Sequence, residues 1–143
     1  GVPVSTNAFA VKGALRDMVK GLPALAGYQV TWGFPTRNPE RRWVFVGEVQ
    51  WPDSHWVTNR SREEVFEISL VVNCQLSGAT SEEVESELQR MAAGIEDGMK
   101  ATPNLGIQSV VTSDFVPKKL ASFPSDQVYE GKFEAVVRVK ARL

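Results

Sequence analysis

The sequence predicts an α+β fold, a mostly antiparallel twisted sheet of about five strands with two amphipathic helices packed on one face. The stretch from Arg62 to Gly106 supplies two of the observations behind this. Phe66, Ile68, Leu70, Val72, Cys74 and Leu76 fall at every second position, with Glu67, Ser69, Asn73 and Gln75 between them, which marks a strand with one apolar face. Val84, Leu88, Met91, Ala92, Ile95 and Met99 then recur at three- and four-residue spacing, which marks a helix with one apolar stripe. The third observation is the carboxy-terminal run, where Tyr129, Phe133, Ala135, Val137, Val139, Ala141 and Leu143 alternate with charged residues. Stripe folded onto strand makes half of a two-layer core.

Taken in order, Gly1 to Thr6 has no periodicity and reads as a flexible arm. Ser5, Thr6 and Asn7 are all good helix caps, and Val11, Leu15, Met18, Val19 and Leu22 trace the first helix until Gly21 and Pro23 end it. It reads as a helix that covers the core. Tyr28 to Trp32 is a short strand, and Gly33 to Pro39 a loop, because two prolines cannot sit inside a paired strand. Arg37, Arg41 and Arg42 surround Glu40 without a glycine-rich turn leading into a helix, so they read as a solvated or intersubunit charge cluster rather than a phosphate site. Trp43 to Trp51 is a strand with Trp43, Phe45, Gly47, Val49 and Trp51 on one face. Residues 52–62 form a long polar loop holding His55 and Trp56. A tryptophan there is costly unless the loop folds back or a partner covers it.

The central strand ends at Ser77-Gly78-Ala79. Thr80 with Glu83 three residues on is a capping-box signature, and Glu82, Glu83, Glu85 and Glu87 suit the positive end of the helix dipole. Pro103 and Gly106 stop that helix. Ile107 to Ser113 reads as a modest strand and residues 114–127 as a second long loop, with Phe115, Phe123, Lys118 and Lys119 exposed to a partner. The last strand, charged along one face, is expected at an edge of the sheet.

The 143 residues suit a single domain spanning 1–143, and a net charge of −1 argues against a nucleic-acid-binding face. One cysteine excludes a disulfide framework, no apolar run approaches the ~20 residues that span a bilayer, and no signal peptide is expected before the first helix. Cys74 falls on a core-facing position and His55 is the sole histidine, which leaves no nucleophile–base pair and too few metal ligands. Glu63 and Glu64 stand where a strand begins, and solvation accounts for them. No dinucleotide fingerprint, P-loop or nucleophile elbow is present, so neither catalysis nor a cofactor is expected.

All four tryptophans lie between Trp32 and Trp56, and the two long loops mix aromatic with basic residues, the composition of interface anchors. The interface candidates are Arg37, Arg41, Arg42, Trp51, His55, Trp56, Arg60, Arg62, Phe115, Lys118, Lys119 and Phe123.

The order of elements also resembles that of the tail terminator proteins of long, non-contractile-tailed bacteriophages. The resemblance spans nearly the whole chain. It rests on the opening helix, on Tyr28-Gln29-Val30-Thr31-Trp32-Gly33-Phe34-Pro35, and on Arg62-Glu63-Glu64 leading into a long strand. Gly94-Ile95-Glu96-Asp97-Gly98-Met99 followed by Pro103-Asn104-Leu105-Gly106 completes it. It implies a virion protein made in the bacterial cytoplasm and assembled as a homo-oligomeric, hexameric ring on the head-proximal end of the tail tube. Its implied partners are the major tail tube protein, the head-completion or stopper protein and the tape-measure protein, with DNA only in transit and no membrane. The alternatives are a head–tail connector or stopper of the neck, and a small-ligand-binding α+β domain with a pocket near His55.

Overall fold

A computed structural model describes residues 5–35, 41–52 and 63–143. Along the chain run α1 (Ala8–Lys20), a 3-10 turn (Pro23–Leu25), β1 (Gln29–Trp32), β2 (Arg42–Gln50), β3 (Glu63–Ser77), α2 (Ser81–Ala101), β4 (Val110–Ser125) and β5 (Val128–Arg142). The strands form one sheet in the order β1-β2-β3-β5-β4, antiparallel except for the β1–β2 pair. The α+β architecture expected from the sequence is the one observed.

Alternation decides the core. Phe66, Ile68, Leu70, Val72 and Cys74 of β3 and Val137, Val139 and Ala141 of β5 are fully buried beneath the two helices. Val11, Leu15 and Val19 of α1 cover the β1–β2 half, while the α2 stripe from Val84 to Met99 covers β3 and β5. The capping box at Thr80 is formed, with the Glu83 N–H donating to the Thr80 hydroxyl and the Glu83 carboxylate accepting from the Thr80 N–H. Glycine sets two close approaches. A side chain at Gly98 would meet Leu22 at 2.8 Å, and one at Gly131 would meet both the Ala121 carbonyl and Val84.

In β2 the alternation breaks at a bulge between Val46 and Val49, so Val44, Val46 and then Val49 all reach the core, while Trp43 and Phe45 take the opposite face. Trp43 and Val49 therefore do not share one face, contrary to the simple alternation.

Three further expectations are corrected. Residues 114–127 are not a loop: β4 is one continuous strand from Val110, paired with β5 along its length. Its two prolines are tolerated because β4 is an edge strand, with a register shift beside Pro117. Asp126 and Gln127, both at positive φ, make a two-residue hairpin turn. Second, β5 lies between β3 and β4 and is no edge; its charged face instead pairs across strands, Arg138 with Glu67 at 2.7 Å and Lys140 with Glu63 at 3.2 Å.

Third, Glu64 is not solvated. It is fully buried and its carboxylate accepts from the Thr6 hydroxyl at 2.8 Å, the Asn7 backbone N–H, the Asn7 amide at 3.2 Å and the Trp51 indole at 3.3 Å. Burying an acceptor-only group is permitted when donors surround it, and the start of α1 provides them. Thr6 is thereby anchored, although the sequence placed it in a loose arm. The Asn7 side chain caps no helix N–H, since it donates to the Arg142 carbonyl and accepts from Ser109.

Candidate assembly surfaces

Two helices cannot cover five strands completely, and the uncovered parts are where the chain can meet other molecules. Among the described residues three such surfaces stand out.

The first is the corner where α1 meets the β1 edge. Phe9 lies off the buried stripe of α1 and is 79% exposed. Its ring packs 5.0 Å from that of Trp32 at the end of β1. Lys12, itself buried, brings Nζ 4.3 Å from the centre of the same indole, with its pKa lowered by burial; the Arg16 guanidinium stands 5.6 Å from the ring and pairs with Asp17 at 3.0 Å. The corner is aromatic, with Lys12 and Arg16 set against the single carboxylate of Asp17.

The second lies at the opposite edge. The α2 helix packs on β3, β5 and β4, and a groove runs between its outer flank and β4. Its middle section, about 400 Å³, is floored by Ala92, Ala93, Phe115, Pro117, Leu120 and Phe133. The groove continues past Glu96 and Phe115 toward Met99 and Pro103 at one end, and past Gln89 and Leu120 toward Ser81 and Glu85 at the other. Phe115 stacks on Phe133 at 6.1 Å, so the floor is built by cross-strand packing. Glu82, Glu85, Glu96 and Asp114 rim it, against one lysine, Lys100. This surface is concave, apolar and acidic.

The third is the sheet face away from the helices. Charge pairs occupy its β3–β5 part, while Phe34, 65% exposed, meets Phe45 edge-on at 5.6 Å near β1. Between them a cleft of about 300 Å³ is lined by Phe34, Trp43, Asn73, Phe123, Glu130 and Lys132. Trp43 is buried there with its indole N–H lacking a hydrogen-bond acceptor.

No family model matches the chain, and no curated protein does. A solved structure does match. It is a chain of the virion of a native gene transfer agent (GTA) particle, 14% identical, with a TM-score of 0.65, over 96% of this chain and 100% of that one. The two share a fold. At that identity the GTA chain speaks for the arrangement of strands and helices and not for individual side chains, so the site residues rest on this molecule's own geometry.

That geometry sorts the interface candidates. Phe115 forms the groove floor, Lys118 and Lys119 stand exposed on β4, and Phe123 opens onto the helix-free face. Trp51, 37% exposed, lies 6.3 Å from Phe66 and donates to Glu64. Arg41 donates to the Ser77 hydroxyl at 3.0 Å. Arg42 faces Glu87 at 3.5 Å and the Tyr28 ring at 5.9 Å. Arg37, His55, Trp56, Arg60 and Arg62 lie outside the described residues. Phe9, Phe34 and Leu120 were missed as candidates. Phe9 was findable, being the one large apolar residue of the first helix that falls off its stripe.

Charged chemistry concentrates at Glu87. Its carboxylate is held down to about 2 by hydrogen bonds from Arg90 at 2.7 Å and from Tyr28, with Arg42 adding positive charge. Burial and the same carboxylate push the Tyr28 phenol up to about 12. Arg90 also donates to the Ala24 carbonyl, so the network ties the turn after α1 to the side of α2. Such perturbed groups flag functional sites only in part, since structural ion pairs perturb pKa equally. Here every partner belongs to the chain's own framework. Cys74 is buried, its thiol pushed up to about 11 by burial, and points at the Val84 carbonyl. It is a small core side chain and no nucleophile. No three His, Cys, Asp or Glu side chains among the described residues cluster as a metal site would require, and no described helix is long and apolar enough to cross a membrane.

Proposed function

We propose that this protein is a structural component of a bacteriophage virion, a tail terminator that assembles as a hexameric ring on the head-proximal end of a non-contractile tail tube. The observation that carries the reading is the end-to-end likeness of fold to a GTA virion chain, with 96% and 100% of the two chains superposed. The sequence resemblance to tail terminators points the same way independently. An assembly role is supported by the perturbed ionisable groups at Glu87, Tyr28 and Arg90, which among the described residues are engaged in tying the turn after α1 to α2.

Physically, a tube grown from identical rings exposes one face that templates the next ring. A protein that matches this face on one side and does not reproduce it on the other ends growth. A small domain does this as a closed ring in which a patch on each subunit meets a different patch on its neighbour. With a net charge of −1 the ring offers DNA in transit little phosphate affinity.

The test is electron microscopy of the purified protein mixed with assembled tail tubes and, separately, with portal-side neck rings. Rings capping one end of each tube support the terminator. Binding to portal-side rings alone would transfer the protein to the neck as a connector or stopper. Binding to neither, with no ring in solution, would remove it from the tail altogether.

A further inference from the structure

We propose that the Phe9–Trp32 corner of one subunit seats in the α2–β4 groove of the next, making the intersubunit contact of the ring; this rests on the ring reading above. The two surfaces lie at opposite ends of the strand order β1-β2-β3-β5-β4, so each subunit carries one of each on opposite flanks. That is the requirement for a heterologous contact, which must join two unlike patches and still leave one of each free for further neighbours.

The surfaces match in shape and sign. The corner projects two packed rings, with Phe9 79% exposed, and the groove offers an apolar floor of Ala92, Ala93, Phe115, Leu120 and Phe133. The corner carries Lys12, buried against the Trp32 ring, and Arg16, which is paired with Asp17, for a net positive charge, whereas Glu82, Glu85, Glu96 and Asp114 outnumber Lys100 around the groove. Such complementarity selects this partner and its orientation and speeds encounter. A 21-residue α2 gives the groove a wall of ~30 Å, against ~20 Å for the 13 residues of α1, so the length suffices. Two aromatic side chains bury at most ~300–500 Å² of the ~800 Å² per partner of a standard interface, which makes them the anchor and leaves the remainder to the flanking strand edges.

The test uses two variants, each spoiling one patch, and a mixture of them. Phe9→Asp acts on a side chain that is almost wholly exposed, and Leu120→Asp on one that is 42% exposed at the sheet edge. Ala93→Asp, on the exposed flank of α2, replaces Leu120→Asp should circular dichroism show the latter unfolded. Sedimentation velocity should find rings for the wild-type protein and monomers for each variant alone. Mixed one to one, the variants should form a dimer and nothing larger, because the intact groove of one receives the intact corner of the other. A wild-type ring with either variant still forming rings, or with a mixture that stays monomeric, overturns this contact and leaves the ring intact. The groove then takes a different occupant. A wild-type protein that never assembles overturns the ring reading and this contact together.

Discussion

Two carboxylates hold the amino-terminal layer onto the sheet, and they do so by opposite means. Glu64 grips the start of α1 from beneath, fully buried, and among the described residues every donor it accepts from is neutral. Glu87 grips the turn after α1 from the side of α2, near the surface, through two guanidinium groups and a phenol. A neutral cage compensates desolvation by number of hydrogen bonds and by the dipole of the helix start. An ionic cage relies on charge that water and salt can screen. The difference teaches that α1 is fixed firmly where it starts and adjustably where it leaves, which suits a helix whose outer corner is proposed to dock.

The largest effect should come from Glu64→Leu. It removes the acceptor shared by the Thr6 hydroxyl, the Asn7 N–H and the Trp51 indole, and donors orphaned away from water cost ~1–3 kcal/mol each. A loss of about 3–5 kcal/mol in urea unfolding is expected, since the helix start can swing outward and recover some donors. A loss under ~1 kcal/mol would mean that the cage does not hold α1 at all. Asn7→Ala should cost less, about 2 kcal/mol, because it deletes the side-chain bonds to Glu64, Arg142 and Ser109 and keeps the backbone donor.

The second carboxylate predicts a pH signature. Glu87 is held at about 2 in the folded chain against an ordinary value of 4.5. A depressed folded pKa means stability that is complete above about pH 5 and is lost as pH falls toward 2. Glu87→Gln should therefore be less stable than wild type at neutral pH, by about 1 kcal/mol given its partly exposed partners, with the gap closing on acidification across that window. A gap that stays constant from pH 7 to pH 2 would show that the network acts through packing and not charge.

How far these features were legible follows from where the governing interactions lie. Between Arg62 and Gly106 the rules are local: alternation, a capping box and a helical stripe each fit inside one element, and the buried set of α2 is the one its spacing marks. β4 was illegible because the features that let it be a strand are not local. Pro117 and Pro124 are admissible only at an edge, and the shift beside Pro117 puts Phe115 and Leu120 on the same face although their numbers differ by five. The Asp126-Gln127 turn lacks the glycine that advertises a hairpin. The groove shared the same obscurity, since it exists only once β4 is a strand lying alongside α2. Glu64 was hidden differently. Its parity with Phe66 placed it inward, but its donors come from residues 6, 7 and 51, and spacing alone cannot show a polar cage assembled from two distant segments.

Arg42→Ala sharpens the comparison at its small end. The guanidinium stands 3.5 Å from Glu87 and half exposed, whereas Arg90 reaches the same carboxylate at 2.7 Å and also binds the Tyr28 hydroxyl and the Ala24 carbonyl. If charge proximity governed the site, both arginines would matter similarly. Since exposed ion pairs contribute ~0–1 kcal/mol, Arg42→Ala should lower stability by no more than about 0.5 kcal/mol, and raising the salt concentration should erase the difference. Arg90→Ala should cost more and keep most of its effect in salt, because its hydrogen bonds span three elements. Equal losses from the two substitutions would mean that long-range charge, not the network of directed bonds, fastens the turn to α2.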